Sequence, residues 1–291
     1  MSVTRRAHAK LNVFLRVLGA RDDGYHDIET VILPLELHDL VTAEHTDGFT
    51  VTVAGPRARE LAGAGGDALI ARAARAWARE TGREAPGAAI TVDKRIPVAA
   101  GLGGGSADAA ATILALDELH GTGLPTETLL GIAATVGSDV PALLLGGPVY
   151  AHGRGDRVTP VHAQTTHWVV VPSSFAVRAP DAYAWWDERA ETGPDAGAVV
   201  ALLEAGNDEN LGPALFDDLQ AAVVARHPEV GDTIASLLDA GALGAVMSGS
   251  GPTVVALARH MGHADQIAEA VQGAFVTAGP PRTMGPPSGV V

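Results

Sequence analysis

The chain of 291 residues contains no cysteine, so disulfides, thiol nucleophiles and cysteine-ligated metals are excluded outright. Aromatic residues make up only 4% of it, which requires a core built mainly from aliphatic side chains. Cationic residues are the minority, 20 Lys and Arg against 34 Asp and Glu, and the net charge is −14. That balance argues against a nucleic-acid-binding surface and against recruitment to anionic membranes. An anionic ligand therefore needs a locally positive site. No apolar run approaches the length of a membrane span, and the opening MSVTRRAHAK lacks the apolar core of a signal peptide. The 47% hydrophobic and 19% charged residues indicate a soluble, globular chain, its length suggests one large or two ordinary domains, and the expectation is a cytoplasmic protein, a monomer or weak homodimer.

What is abundant is glycine, and it clusters in the stretch from Pro97 to Ile113, PVAAGLGGGSADAAATI. Gly101, Gly103, Gly104 and Gly105 remove the Cβ atoms that keep backbone away from a ligand, and Ser106 opens an alanine-rich segment with a ready helix start. A strand is expected over Ala88–Val92, and a helix over Ser106–Leu119 with Asp108 in its first turn. A glycine loop running into a helix N-terminus offers unpaired N–H groups and about half a positive charge to an anion. The plain alternative is a flexible surface loop. A Walker loop is excluded, since no lysine follows the glycines; a dinucleotide fingerprint needs a third glycine where Ser106 stands.

Elsewhere, Ala9–Val17 alternates, with Ala9, Leu11, Val13, Leu15 and Val17 on one face and Lys10, Asn12, Phe14 and Arg16 on the other, the pattern of a half-buried strand. Lys10 and Asn12 are either a solvent face or site residues. Arg21–Gly24 is a turn signal that delivers Tyr25 and His26, a turn-packing ring and a surface residue if they do not serve a site. Strands are expected over Glu29–Leu37 and Phe49–Val53, and helices over Asp67–Glu80, Thr126–Val136 (capped by Thr126) and Val140–Leu145, the last preceded by Asp139, whose ordinary role would be a cap. Gly146–Asp156 reads as a connection between domains. Beyond it the elements run strand (Trp168–Val171), helices (Pro180–Ala190, Ala198–Ala205, Ala214–Arg226, Val230–Leu238), strand (Ala245–Met247), strand (Thr253–Leu257), helix (His263–Ala274) and strand (Phe275–Thr277), in outline a split β-α-β order. Ser248–Pro252 is a second glycine loop, by itself a hairpin turn.

Three separated segments, Ala9-Lys10-Leu11-Asn12, Pro97 to Ala107 and Met247 to Pro252, stand in the order of the three motifs of the GHMP kinases, and the chain resembles that family from about Ala7 to Ala258. The resemblance implies an α+β, two-domain fold: an N-terminal domain similar to the second domain of ribosomal protein S5 (residues 1–155) and a C-terminal ferredoxin-like domain (156–278), followed by a disordered tail (279–291). It implies ATP and Mg²⁺ as cofactors, with Pro97, Val98, Ala99, Ala100, Gly101, Leu102, Gly103, Gly104, Gly105, Ser106 and Ala107 around the nucleotide phosphates; no ligand of the metal is assigned, Ser106 being one candidate and Asp108 a weaker one. Asp139 would take the proton of the attacking hydroxyl, with Lys10 beside it stabilising the developing charge, and Asn12 would contact the acceptor. The pairing of Lys-Leu-Asn with Gly-Tyr-His resembles the branch that phosphorylates the 2-hydroxyl of a cytidylylated methylerythritol in the non-mevalonate isoprenoid route; Tyr25 would stack on the cytosine and His26 bond its polar edge. A kinase for mevalonate, homoserine or a sugar, and a non-catalytic nucleotide sensor of the same fold, are the alternatives. Two positions depart from the family pattern: Ala68 stands where an asparagine usually precedes a leucine, removing a side-chain contact to adenine, and Asp217-Asp218-Leu219 replaces an Asn-Asp-Leu element.

Overall fold

The computed structural model describes residues 1–61, 66–98, 100–206 and 208–281. The first half comprises β1 (Ser2–Ala20), β2 (His26–His45), β3 (Phe49–Ala54), α1 (Ala58–Leu61), α2 (Gly66–Glu80), β4 (Ala88–Asp93), α3 (Gly104–His120), α4 (Thr126–Val136), α5 (Val140–Leu145), β5 (Val149–Gly153) and β6 (Arg157–Pro160). The second comprises β7 (Thr166–Val171), α6 (Ala179–Asp187), α7 (Gly197–Ala205), α8 (Asp208–Ala214), β8 (Phe216–Asp217), α9 (Gln220–Val224), α10 (Pro228–Asp239), β9 (Gly244–Met247), β10 (Val254–Ala258), α11 (Met261–Ala270) and β11 (Phe275–Gly279).

In the first sheet the order is β3-β4-β2-β1-β8, with β5 and β6 continuing from β2. The second sheet has the order β11-β7-β10-β9, fourth, first, third and second in its own chain order, which is the split β-α-β topology expected for this half. Helices α2 and α3 cover one face of the first sheet, and α4 packs on α2, α3 and α5, in a core that includes Trp77, Ile90, Leu116 and Val136. On its other side Leu11, Val13, Phe14 and Leu33 share a core with Trp168, Val170, Val255 and Leu257 of the second sheet.

That shared core corrects the expectation of a half-buried first strand. Residues 9–15 are all buried, Lys10 and Asn12 included, because elements cover both faces of the β1–β2 ribbon. Strict alternation fails as well, since the β1–β2 register shifts between His8 and Lys10 and again between Asn12 and Phe14. Irregularities of this kind re-aim side chains, and here they bracket Lys10, Leu11 and Asn12.

Other differences are local. Gly146–Asp156, read above as a connection, instead carries β5, which pairs with β2. The helix expected over Ala214–Arg226 is interrupted by β8, which lies parallel to β1 with Phe14 opposite Phe216; the Asp218 carboxylate accepts the Val17 N–H at 2.7 Å, holding the chain extended at that point. Helix α4 begins at Thr126, but Pro125 is its N-cap and no side chain caps it. Strand β11 runs through Gly279, one residue into the segment expected to be a disordered tail; 282–291 lie outside the described residues.

Between the first sheet and α3 a lysine is buried without access to water. Lys94, 1% exposed, donates to Asp39 on β2 and to Asp108 on α3, each at 2.6 Å. The second Asp39 oxygen accepts the Arg95 and Ile96 N–H groups at 2.5 and 2.8 Å, whereas Asp108 Oδ1 is buried with no hydrogen-bond partner. Burial, only partly opposed by Lys94, pushes the Asp108 carboxyl up to about 7. Folded Asp108 thus keeps a proton that the unfolded chain has released, and its contribution to stability declines as pH rises from about 4 towards 7. We expect Lys94→Met, which leaves Asp39 and Asp108 buried without their cation, to lower the unfolding free energy by about 3–5 kcal/mol. Asp108→Asn leaves a one-to-one pair and is expected to cost less and to flatten this decline; urea unfolding at pH 5 and pH 8 measures both.

Candidate active site

The three motif segments meet. The Lys10 N–H donates to the Leu102 carbonyl at 2.9 Å, tying β1 to the glycine loop, and the Asn12 N–H donates to Ser248 Oγ at 3.0 Å, tying it to the β9–β10 loop. The two loops touch directly: a Cβ on Gly101 would lie 3.0 and 3.1 Å from the carbonyl oxygens of Ser248 and Gly251. Ser248–Pro252 is therefore both the hairpin turn between β9 and β10 and a wall of the site.

Two glycines are required by this convergence. Gly103 takes φ +69°, and a Cβ there would lie 2.7 Å from Lys10 Cγ, so the lysine stem passes over bare backbone. Gly249 takes φ +62° and its Cβ would lie 2.7 Å from Asn12 Oδ1. Both features, a left-handed backbone and a close approach, select glycine.

Helix α3 starts at Gly104, two residues before the expected Ser106, with Gly103 as N-cap and no side-chain cap bond. Its first N–H groups thus remain available where the positive end of the helix dipole emerges. Ala100, Leu102 and Ala107 are buried in the core, as is Pro97; they shape the loop, and the backbone is what faces outward. The Val98 N–H reaches Glu60 Oε2 at 3.4 Å. Ala99 lies outside the described residues. Asp108 is not an exposed first-turn carboxylate, since it is turned inward against Lys94. Ala68, at the start of α2, is exposed.

Lys10 and Asp139, 129 positions apart in the sequence, are brought to 3.5 Å between Nζ and Oδ2. Asp139 stands at the N-cap of α5 but makes no side-chain cap bond, and its side chain is 35% exposed. The ordinary structural role for an aspartate at this position is thus not taken up. Lys10 Nζ also donates to Asn12 Oδ1; Asn12 Nδ2 donates to Thr30 Oγ1 at 2.8 Å, and that hydroxyl donates to the Phe14 carbonyl at 2.7 Å. This relay fixes the Asn12 amide orientation and aims its oxygen at the ammonium.

A cavity of about 540 Å³ opens beside the pair, and Lys10, Asn12, Asp139, Gly249, Tyr25 and His26 all line it. Tyr25 is 49% exposed, and the Arg154 guanidinium lies over its ring at 4.9 Å, held by Asp156 at 2.6 Å. One face of Tyr25 is thereby covered. His26 stacks on Tyr183 with ring centroids 4.7 Å apart, and its Nε2 is 2.9 Å from Asp187 Oδ1. Burial, with the charges of Asp217 and Asp139, raises the Tyr183 phenol above its ordinary value, so it is a neutral hydroxyl at pH 7.

Arg154, Tyr183 and Asp187 were not singled out from the sequence. Tyr183 and Asp187 are spaced i, i+4 on α6, which puts them on one helical face, but no local signal connects that face to the turn before β2. Thr30 and Lys94 were missed for the same reason, since their partners are distant in the chain.

Residues 68–147 match the family model "GHMP kinases N terminal domain" and residues 199–277 match "GHMP kinases C terminal". The chain is 41% identical over 251 residues to the 4-diphosphocytidyl-2-C-methyl-D-erythritol kinase of Symbiobacterium thermophilum, covering 85% of this chain and 88% of that one. It is 43% identical over 271 residues to the enzyme of the same name from Salinispora tropica, covering 90% and 85%. A crystal structure of 4-(cytidine 5'-diphospho)-2C-methyl-D-erythritol kinase superposes with a TM-score of 0.79 at 33% identity, over 96% of this chain and all of the other. A homoserine kinase from Cytophaga hutchinsonii, 20% identical with a TM-score of 0.72, covers 96% and 94% and shares the fold. With both family models matched in order, and with relatives of this identity spanning most of its length, the chain belongs to the 4-diphosphocytidyl-2-C-methyl-D-erythritol kinase family of the GHMP kinases.

Proposed function

We propose that the chain transfers the γ-phosphoryl group of ATP to the 2-hydroxyl of 4-diphosphocytidyl-2-C-methyl-D-erythritol. The observation that supports this reading is the Lys10–Asp139 pair at 3.5 Å, with the Lys10 stem against Gly103 of the glycine loop and both side chains lining a cavity that Tyr25 and His26 also line. The glycine loop, with its uncapped helix N-terminus, is suited to phosphates. The cavity wall of Tyr25 and His26 is suited to a base. Such a wall has no purpose for an acceptor as small as mevalonate or homoserine.

Phosphoryl transfer asks a protein chiefly for positioning and for electrostatic stabilisation. The backbone of Gly101 to Ser106 holds the nucleotide phosphates. Asp139 Oδ2 receives the proton of the 2-hydroxyl as its oxygen bonds to the γ-phosphorus; the bond from that phosphorus to the bridging oxygen breaks and ADP leaves. Lys10 stabilises charge that develops on the transferred group, and Asn12, oriented by Thr30, holds the ammonium in place. The chain is strongly negative overall, and this ammonium and the α3 N-terminus supply the local positive field that ATP needs.

An Mg²⁺ that arrives on nucleotide phosphates keeps several waters and needs few protein ligands. Ser106, at the open end of α3, would hold it; Asp108 does not fit, because its carboxylate faces Lys94 in the core. When bound, the ion neutralises charge on the phosphate oxygens.

The reading is tested by ADP release with Mg-ATP and a panel of acceptors. Turnover is expected with the cytidylylated methylerythritol; turnover with mevalonate or homoserine and none with that acceptor would overturn it. Asp139→Asn is expected to lower kcat by about 10²-fold or more with ATP affinity unchanged by calorimetry. Tyr25→Ala is expected to raise the acceptor KM by about tenfold, the loss of one stacked base, with a smaller effect on kcat. Gly103→Ala, which forces a Cβ against the Lys10 stem at positive φ, is expected to weaken ATP binding and turnover together.

A further inference from the structure

We propose that Asp187 is a positioning residue that fixes the tautomer of His26 and so makes the acceptor site accept cytosine and refuse uracil. The inference rests on the acceptor reading above. It starts from a contact across the two halves of the chain: Asp187 is the last residue of α6, His26 the first of β2, and Oδ1 lies 2.9 Å from Nε2.

A carboxylate oxygen accepts hydrogen bonds, so Nε2 carries a proton, and in the singly protonated ring that we assign here Nδ1 is left with a lone pair. No other hydrogen bond is made by the His26 ring among the described residues. Asp27, the neighbouring carboxylate on the same strand, is committed to Arg21 at 2.5 Å and does not compete. The ring plane is held as well as the proton. Tyr183 stacks on it at 4.7 Å with 23° between planes, and Trp186 meets it edge-on at 6.0 Å and 88°. The side chain is only 11% exposed and lines the cavity.

A fixed acceptor at Nδ1 discriminates between pyrimidines. Cytosine carries an amino donor at C4, which completes the bond. Uracil carries a carbonyl at that place, and two lone pairs would face each other in a partly desolvated site. Sites built around one hydrogen bond reject the mismatched partner far more strongly than apolar pockets reject a shape. A role as a simple latch between the two halves explains the contact less well, since the Asp187 side chain is 45% exposed and exposed ion pairs hold structure weakly.

The test compares kcat/KM for the cytidine-diphosphate-linked and uridine-diphosphate-linked acceptors in the parent chain, in Asp187→Ala and in Asp187→Asn, with ¹⁵N shifts of the His26 ring recorded on each. The parent is expected to prefer the cytidine acceptor by about 10²-fold or more and to show protonated Nε2 with bare Nδ1. Asp187→Ala is expected to shrink the preference by about tenfold or more, with KM for the cytidine acceptor moving more than kcat, and to shift the ring towards a mixture of tautomers. Equal losses with both acceptors at an unchanged ratio would make Asp187 a latch and overturn the proposal, as would a parent ring protonated at Nδ1. The ring spectrum of the parent decides the tautomer even if a variant does not fold. Turnover of neither acceptor by the parent would instead remove the functional reading on which the proposal rests.

Discussion

A single buried ammonium sets the geometry on which the site depends. Lys94 joins β2 to α3 through two carboxylates, and a Cβ on Gly104 would lie 3.0 Å from its Nζ, so the charge cluster lies directly under the first residue of α3. A loop of glycines has few side chains with which to hold itself, and its backbone loses much conformational freedom on ordering. The restraint has to come from below. The cluster is costly to bury, but it anchors the strand, the loop and the helix at one point and leaves the upper surface of the loop free.

Above that floor, the proposed reactive groups are positioned by contacts rather than by their own flexibility. Lys10 is a long side chain, yet its stem is confined over Gly103 and its head is held by Asn12, whose amide is in turn held by Thr30. The register shifts on either side of Lys10 and Asn12 aim both side chains into the cleft from a strand whose alternating partners serve the core. Asp139 comes from a different element and is left free of capping duty. Each group is thus fixed by a neighbour, and the whole constellation rests on rigid strands and helix ends.

Much of this was legible in the sequence, for physical reasons that can be named. Strand and helix periodicity located most elements to within a few residues, and the glycine loop announced itself because only glycine tolerates positive φ and backbone contact at Gly101 and Gly103. Family resemblance supplied what periodicity could not, the pairing of Lys10 with Asp139. What remained hidden depended on distant partners. Asp108 reads as an ordinary first-turn acid until Lys94 and Asp39 are seen around it. Asp187 carries no signal of its own within the helix expected over Pro180–Ala190 until His26 arrives from the other half of the chain. Strand β8 has only two residues and no periodicity to detect; its pairing is dictated by β1, and the helical pattern on either side concealed it.

That short strand has an architectural consequence. β8 comes from the second half of the chain but is hydrogen-bonded into the first sheet beside β1, while β1 and β2 contribute side chains to the core of the second sheet. The halves are interlaced at both levels. A cut between β6 and β7 would not release two finished modules: one would lose its edge strand, the other the lid of its core. The polypeptide is two sheets by topology and one body by assembly.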